Sequence, residues 1–159
     1  MRIERCTRAD FLEILKDQEA FWGSDRALPV HHPMLLEEFG DTAFVVRDGP
    51  TLCGYLFGFF AQTGAYFYIH LVAVRNAYKG HGIGTALYAH VERLAREAGV
   101  ASIKAITTPS NAGSIAFHRA LGFALVGDAE QNGVRYMPNY AGKECDRVVM
   151  VKSLRSGSA

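Results

Sequence analysis

The sequence predicts a single α/β (α+β) domain on a mixed, mostly antiparallel sheet of about seven strands, and three observations carry that expectation. Three strand-like runs follow one another with turn signals between them. A glycine-rich loop then opens a long helical period. From there helices and strands alternate to the last strand. The chain has 159 residues, a length that favours one domain. Apolar types make up 49% of it and charged types 21%, so a core can form without disulfide or metal staples.

Taken in order, residues 2–6 read as a first strand, and Thr7-Arg8-Ala9-Asp10 fits a helix N-cap with an acid three residues on. Phe11, Leu15 and Trp22 fall near one face of the helix that follows. Residues 23–33 hold Gly23, Pro29 and Pro33 and form a connection, with a short helix over 34–39. Residues 42–47 and 51–60 are strands around the hairpin signal Asp48-Gly49, and residues 62–65 turn the chain into a strand over 66–74. In the helix over 82–98, Ile83, Leu87, Val91, Leu94 and Ala98 repeat at helical spacing, and Gly99 is placed to end it. A strand over 100–107, a helix over 111–121 and a strand over 123–126 follow. Residues 128–143 are polar and turn-rich, and 146–154 is the last strand. The domain is expected over 1–154, with 155–159 as a tail.

Seventeen Lys and Arg against sixteen Asp and Glu give a net charge of +1, without the basic surplus that nucleic acid or an anionic membrane surface demands. No apolar run reaches the length of a membrane span, since the longest, 52–61, is broken by Gly54 and Gly58. The N-terminal residues show no secretory h-region. Cys6, Cys53 and Cys145 are odd in number and lack a C-x-x-C, which argues against a disulfide framework and for a cytoplasmic protein. No metal-ligand spacing links the histidines, cysteines and acids, so no metal is expected.

The informative stretch is Leu71-Val72-Ala73-Val74-Arg75-Asn76-Ala77-Tyr78-Lys79-Gly80-His81-Gly82-Ile83-Gly84-Thr85-Ala86-Leu87. A strand ends, a short turn follows, and a loop with glycines at 80, 82 and 84 enters the long helix. Backbone N–H groups freed of Cβ atoms can converge there with the helix N-terminus on a pyrophosphate. A Walker A loop would need Lys-Ser/Thr after its last glycine, and a dinucleotide fingerprint would need G-x-G-x-x-G; neither is present. A ligand-free glycine turn is the alternative to that phosphate-cradling reading of the loop by itself.

This segment resembles motif A of the GNAT superfamily of N-acetyltransferases, with Lys79, Gly82 and Gly84 in the positions of Gln/Arg-x-x-Gly-x-Gly/Ala. Asn111-Ala112-Gly113-Ser114-Ile115-Ala116-Phe117-His118-Arg119-Ala120-Leu121-Gly122-Phe123 is similar to that superfamily's motif B. The resemblance implies acetyl-CoA as cosubstrate, fourth and fifth strands that splay apart, and helices on both faces of the sheet. It also implies that the backbones of Val72 and Val74 bond the pantetheine. The N–H groups of Gly80, His81, Gly82, Ile83, Gly84 and Thr85, with Lys79, would hold the pyrophosphate. Asn111 would bond the pantetheine arm, Phe117 would pack on it, and Ser114 and His118 would line its thiol end.

Three departures stand out. Lys79 stands where the motif has Gln or Arg, and it keeps arginine's charge without the planar fork. His118 occupies the place of a tyrosine that acts as general acid in many members, so it either protonates the leaving thiolate or only lines the pocket. Lys104-Ala105-Ile106 offers no acid on the fifth strand, where related enzymes commonly carry one. The candidate base is His70, at the centre of Tyr68-Ile69-His70-Leu71-Val72 just before the implied bulge, with a hydrogen-bonded core histidine as the alternative. His31 and His32 read best as a solvated loop pair, with lining of the acceptor pocket as the alternative. The implied reaction is direct acetyl transfer to a primary amine, expected to be that of a small molecule. A protein N-terminus or lysine is the alternative acceptor, and a non-catalytic CoA sensor is the alternative of another class. A homodimer would fit the superfamily's habits.

Overall fold

The computed structural model describes residues 1–155, so residues 156–159 of the expected tail lie outside the described residues. Seven strands form one sheet in the order β1-β2-β3-β4-β5-β9-β6, and β7-β8 form a separate hairpin. The strands are β1 (Arg2–Arg5), β2 (Ala43–Asp48), β3 (Thr51–Phe60), β4 (Tyr66–Val74), β5 (Ser102–Thr107), β6 (Ala124–Val126), β7 (Ala129–Gln131), β8 (Val134–Tyr136) and β9 (Val148–Ser153). The helices are α1 (Arg8–Lys16), α2 (Gln18–Trp22), α3 (Met34–Glu37), α4 (Ile83–Glu97) and α5 (Ala112–Ala120). The β1–β2, β2–β3, β5–β9 and β6–β9 pairs are antiparallel, while β4–β5 is parallel and joined through α4. The expected splay shows as a parallel ladder that runs only from Tyr66↔Ser102 to Ile69↔Ala105, although both strands continue.

Contacts group the described residues into two compact units, residues 1–59 with 70–91, and residues 60–69 with those from 92 on. In the first, Ala43 and Val45 of β2, Tyr55 and Phe57 of β3, and Leu71 and Ala73 of β4 join Phe11, Ile14, Phe21 and Leu35 of the N-terminal helices in one core. The opposite pleat carries Phe44, which meets the His90 ring of α4 edge-on at 4.6 Å, and Gly54, which faces Ile83 and Leu87. Helices therefore cover both faces here, as expected.

The Thr7 cap forms as a full capping box: Thr7 Oγ1 accepts from Asp10 N–H at 3.2 Å, and Asp10 Oδ2 accepts from Thr7 N–H at 2.7 Å. Asp10 then pairs with the Arg47 guanidinium, which also reaches Glu13 at 2.8 Å. Burial alone would raise the Asp10 pKa, but hydrogen bonds from Thr7 and Arg47 hold it below the ordinary carboxylate value.

In the second unit, Phe67, Ile69, Ile103, Ala105, Met150, Ile115 and Phe123 are buried. Lys152 of β9 is ion-paired to Glu92 of α4. The polar, turn-rich stretch 128–143, in which no strand was expected, contains the β7–β8 hairpin. Its turn is Asn132-Gly133, with φ of 50° and 74°, the two positive values a type I′ turn requires.

Candidate active site

The loop after β4 is set in place by residues on either side of it. Gly54 lets α4 lie close on β3: a Cβ there would stand 2.8 Å from Ile83 Cγ2 and 3.2 Å from Ala73 C=O. Arg75, the first residue past β4, donates from Nε to Leu52 C=O at 2.8 Å and from Nη2 to Asp17 at 2.7 Å. Its guanidinium lies 4.8 Å from the Phe21 ring centroid. The turn is thus fixed from three directions before the glycines begin.

Gly80 and Gly82 adopt φ of +80° and +77°, which an L side chain adopts only under strain. The first hydrogen bond of α4 from outside the helix runs from Ala86 N–H to Gly82 C=O at 2.9 Å. Among the described residues, none of the six N–H groups from Gly80 to Thr85 meets a protein acceptor. Six donors with a helix N-terminus behind them make an anion cradle. Lys79 is exposed beside it and makes no ion pair among the described residues. His81 folds back instead, its Nδ1 donating to Lys79 C=O at 3.0 Å. The residues present therefore fit a pyrophosphate: open space, main-chain donors and one cation.

On β4, Val72 and Val74 are half-buried and alternate with the core residues Leu71 and Ala73. His70 Nε2 donates to Val30 C=O at 3.2 Å, so the neutral ring keeps its basic lone pair on Nδ1. Burial lowers its pKa, and the Val30 bond only partly offsets that. His31 departs from the expected solvated pair. It is 5% exposed, donates from Nδ1 to Ala27 C=O at 2.7 Å, and takes the Tyr55 hydroxyl hydrogen on Nε2 at 2.7 Å. Tyr55 OH in turn accepts from Trp22 Nε1 at 2.7 Å. This hydrogen-bonded triad holds the 23–33 connection onto β3, while His32 is exposed as expected.

In the second unit, Asn111 is the N-cap of α5, its Oδ1 accepting from Ser114 N–H at 3.1 Å. Ser114 Oγ lies 3.3 Å from His118 Nδ1, so Asn111, Ser114 and His118 form one connected stripe, as their spacing implied. His118 is 3% exposed and donates from Nδ1 to Ser114 C=O at 2.7 Å. The rings of Phe117 and Phe123 meet it edge-on at 5.6 and 5.1 Å. Burial lowers its pKa, so at neutral pH the ring is uncharged.

The roles of Gly54, Arg75 and Tyr55 were not foreseen. A glycine inside a strand was the available signal for Gly54, whereas nothing local marks the other two.

The matching family model is Acetyltransferase (GNAT) family, over residues 8–123. No curated protein matches the chain in sequence. Solved structures do match. The ribosomal-protein-alanine N-acetyltransferase from Brucella melitensis is 26% identical with TM-score 0.67, over 96% of this chain and 99% of that one. The acetyltransferase yncA from Salmonella typhimurium, solved with its cofactor acetyl-CoA, is 22% identical with TM-score 0.67, over 100% and 96%. An aminoglycoside 6'-N-acetyltransferase complexed with coenzyme A is 16% identical with TM-score 0.69, over 100% of both chains. The chain belongs to the GNAT acetyltransferase family. It is an acyl-CoA-dependent N-acyltransferase, with acetyl-CoA as cosubstrate. Among the described residues no helix is long and apolar enough to cross a membrane, and no group of three metal-ligating side chains occurs.

Proposed function

We propose that this enzyme acetylates a primary amine of a small molecule by direct transfer from acetyl-CoA within a ternary complex, in the cytoplasm. The supporting observation is the loop's set of six N–H groups without protein acceptors, two of them on positive-φ glycines. In this reading they and Lys79 take the pyrophosphate, the backbones of Val72 and Val74 and the side chain of Asn111 take the pantetheine, and Ser114 and Phe117 line it. Acetyl-CoA supplies the thioester whose acetyl group is transferred.

His70 is the general base of this reading: a neutral imidazole whose Nδ1 lone pair removes a proton from the acceptor ammonium. His118 is assigned a lining role. Its Nδ1 hydrogen is committed to Ser114 C=O, and burial disfavours the imidazolium that an acid would need. The thiolate is a fair leaving group and can take its proton from water. A small acceptor is favoured because the 23–33 connection is short and is tied down at His31 and Val30.

The likeness to a ribosomal-protein-alanine N-acetyltransferase makes a protein N-terminus the second acceptor class. One assay separates them. Purified protein with acetyl-CoA is given amines, amino acids and peptides, and free thiol is followed. Turnover on small amines is expected. Turnover on peptides alone would overturn the small-molecule assignment, and binding of acetyl-CoA without any turnover would favour a sensor.

A further inference from the structure

The second unit carries a cationic aromatic cluster that none of the expected site residues includes. Phe67, Ile69, Ile103 and Ala105 turn one way into the core, so Tyr66, Tyr68 and Lys104 share the other side of the β4–β5 ladder, with Lys104 directly across from Tyr68. The Lys104 ammonium lies 5.2 Å from the Tyr66 ring centroid and 5.4 Å from that of Tyr140. Tyr140 comes from a braced loop, where Asn139 N–H donates to Asp146 at 2.9 Å, Glu144 N–H to Asn139 Oδ1 at 2.7 Å, and Ala141 N–H to Cys145 C=O at 3.0 Å. Arg147, at the end of that loop, is near enough for its charge to act on Tyr68 and donates one hydrogen to Asp146 C=O at 2.7 Å.

Among the described residues neither Lys104 nor Arg147 has a carboxylate partner. Two ring faces hold an ammonium by its charge and leave it N–H donors to offer, and Arg147 retains donors beyond the one it uses. The aromatic walls add little competing negative charge, because burial pushes the Tyr68 phenol up to about 12 and keeps it neutral. Two half-buried cations at one aromatic surface attract a compact oxyanion and repel a polycation.

We propose that Lys104 and Arg147 bind an anionic group on the acceptor, so that the acceptor is an amine that also carries a carboxylate or similar compact oxyanion, as free amino acids do. This deepens the small-molecule reading and rests on it.

The test gives the enzyme acetyl-CoA with free L-amino acids, their carboxamides and aminoalkylphosphonates, and follows thiol release. At least a tenfold preference in kcat/KM for an acid over its own carboxamide is expected, and the phosphonates report whether the site needs a planar anion. Lys104→Met and Arg147→Gln should each erase most of that preference through KM, with KM for acetyl-CoA unchanged as the check on folding, and Lys104→Arg should restore part of it. An acid-to-amide ratio that is near one, or unaltered in Lys104→Met, overturns the anion site and leaves the acetyltransferase reading standing. If no amine releases thiol, that reading fails by itself. Binding of N-acetyl amino acids against their carboxamides to the CoA-loaded protein then decides the anion site: tighter binding of the acid, lost in Lys104→Met, supports it, and equal binding overturns it.

Discussion

In the loop after β4 the binding groups belong to the main chain, held open by two glycines at positive φ and by an arginine behind them. On α5 they belong to side chains, and those of Asn111, Ser114 and His118 are already bonded within their own helix. In the proposed reading the first region would recognise by the shape of its backbone. The second depends on which residue stands where, and its polar atoms are partly spent before any ligand arrives. Loop variants should therefore affect binding of the cosubstrate, and variants elsewhere should affect rate or stability.

The largest effect is expected from Gly82→Glu, which forces a Cβ into a left-handed conformation and sets a carboxylate among the donors. Acetyl-CoA affinity should fall by on the order of 100-fold or more, while the protein stays folded because no atom lies within 4 Å of that Cβ. Calorimetric titration with acetyl-CoA checks it, and retained affinity would falsify the loop assignment.

Next comes His70→Gln, which should lower kcat by on the order of 100-fold and leave KM for acetyl-CoA alone. Since burial holds the His70 pKa below its ordinary 6.5, the wild-type rate should be full above that pH and fall as pH drops through the lower value. The pH profile of His70→Gln should lose that acid limb; a limb that persists assigns the base elsewhere.

Asp10→Ala should cost about 2–3 kcal/mol in urea unfolding, since it removes half a capping box and the partner of Arg47 together. The Asp10 pKa is depressed from 3.8, so its contribution is complete above that pH and is lost as pH falls through the folded value. A variant with the wild-type dependence of stability on acid would show that the pairing contributes nothing. His118→Phe has the smallest expected effect, less than about threefold in kcat, with its pH dependence intact. A 100-fold loss together with loss of the alkaline limb would make His118 the general acid after all and erase the contrast between the two regions.

Local grammar carried most of the fold. The Thr7 capping box and the 3.6-residue period of α4 depend on neighbours in sequence and formed where expected. The hairpin signalled by Asp48-Gly49 formed one residue on, with Asp48 paired to Thr51 and the turn at Gly49 and Pro50. Gly80 and Gly82 were legible for the same reason, because an anion cradle is local backbone geometry. His31 was misread because its partner Tyr55 is 24 residues away on β3, and spacing says nothing of such a meeting. Lys104 stood out only as a missing acid, since Tyr140 reaches it through a loop whose path the sequence does not reveal. The β7–β8 hairpin is a different kind of miss. Asn132-Gly133 announced its turn, and the flanking strands, three residues each, were too short and polar to alternate visibly.

The donors of the phosphate loop have one more consequence, and it concerns ionic strength. Arginine and lysine patches lose affinity steeply as salt rises, because each contact is between full charges that mobile ions screen. In the proposed binding mode six amide dipoles and a single ammonium would face the pyrophosphate, in a chain whose net charge is +1. Long-range attraction between enzyme and cosubstrate would then be weak, and acetyl-CoA affinity in that mode should depend only shallowly on salt.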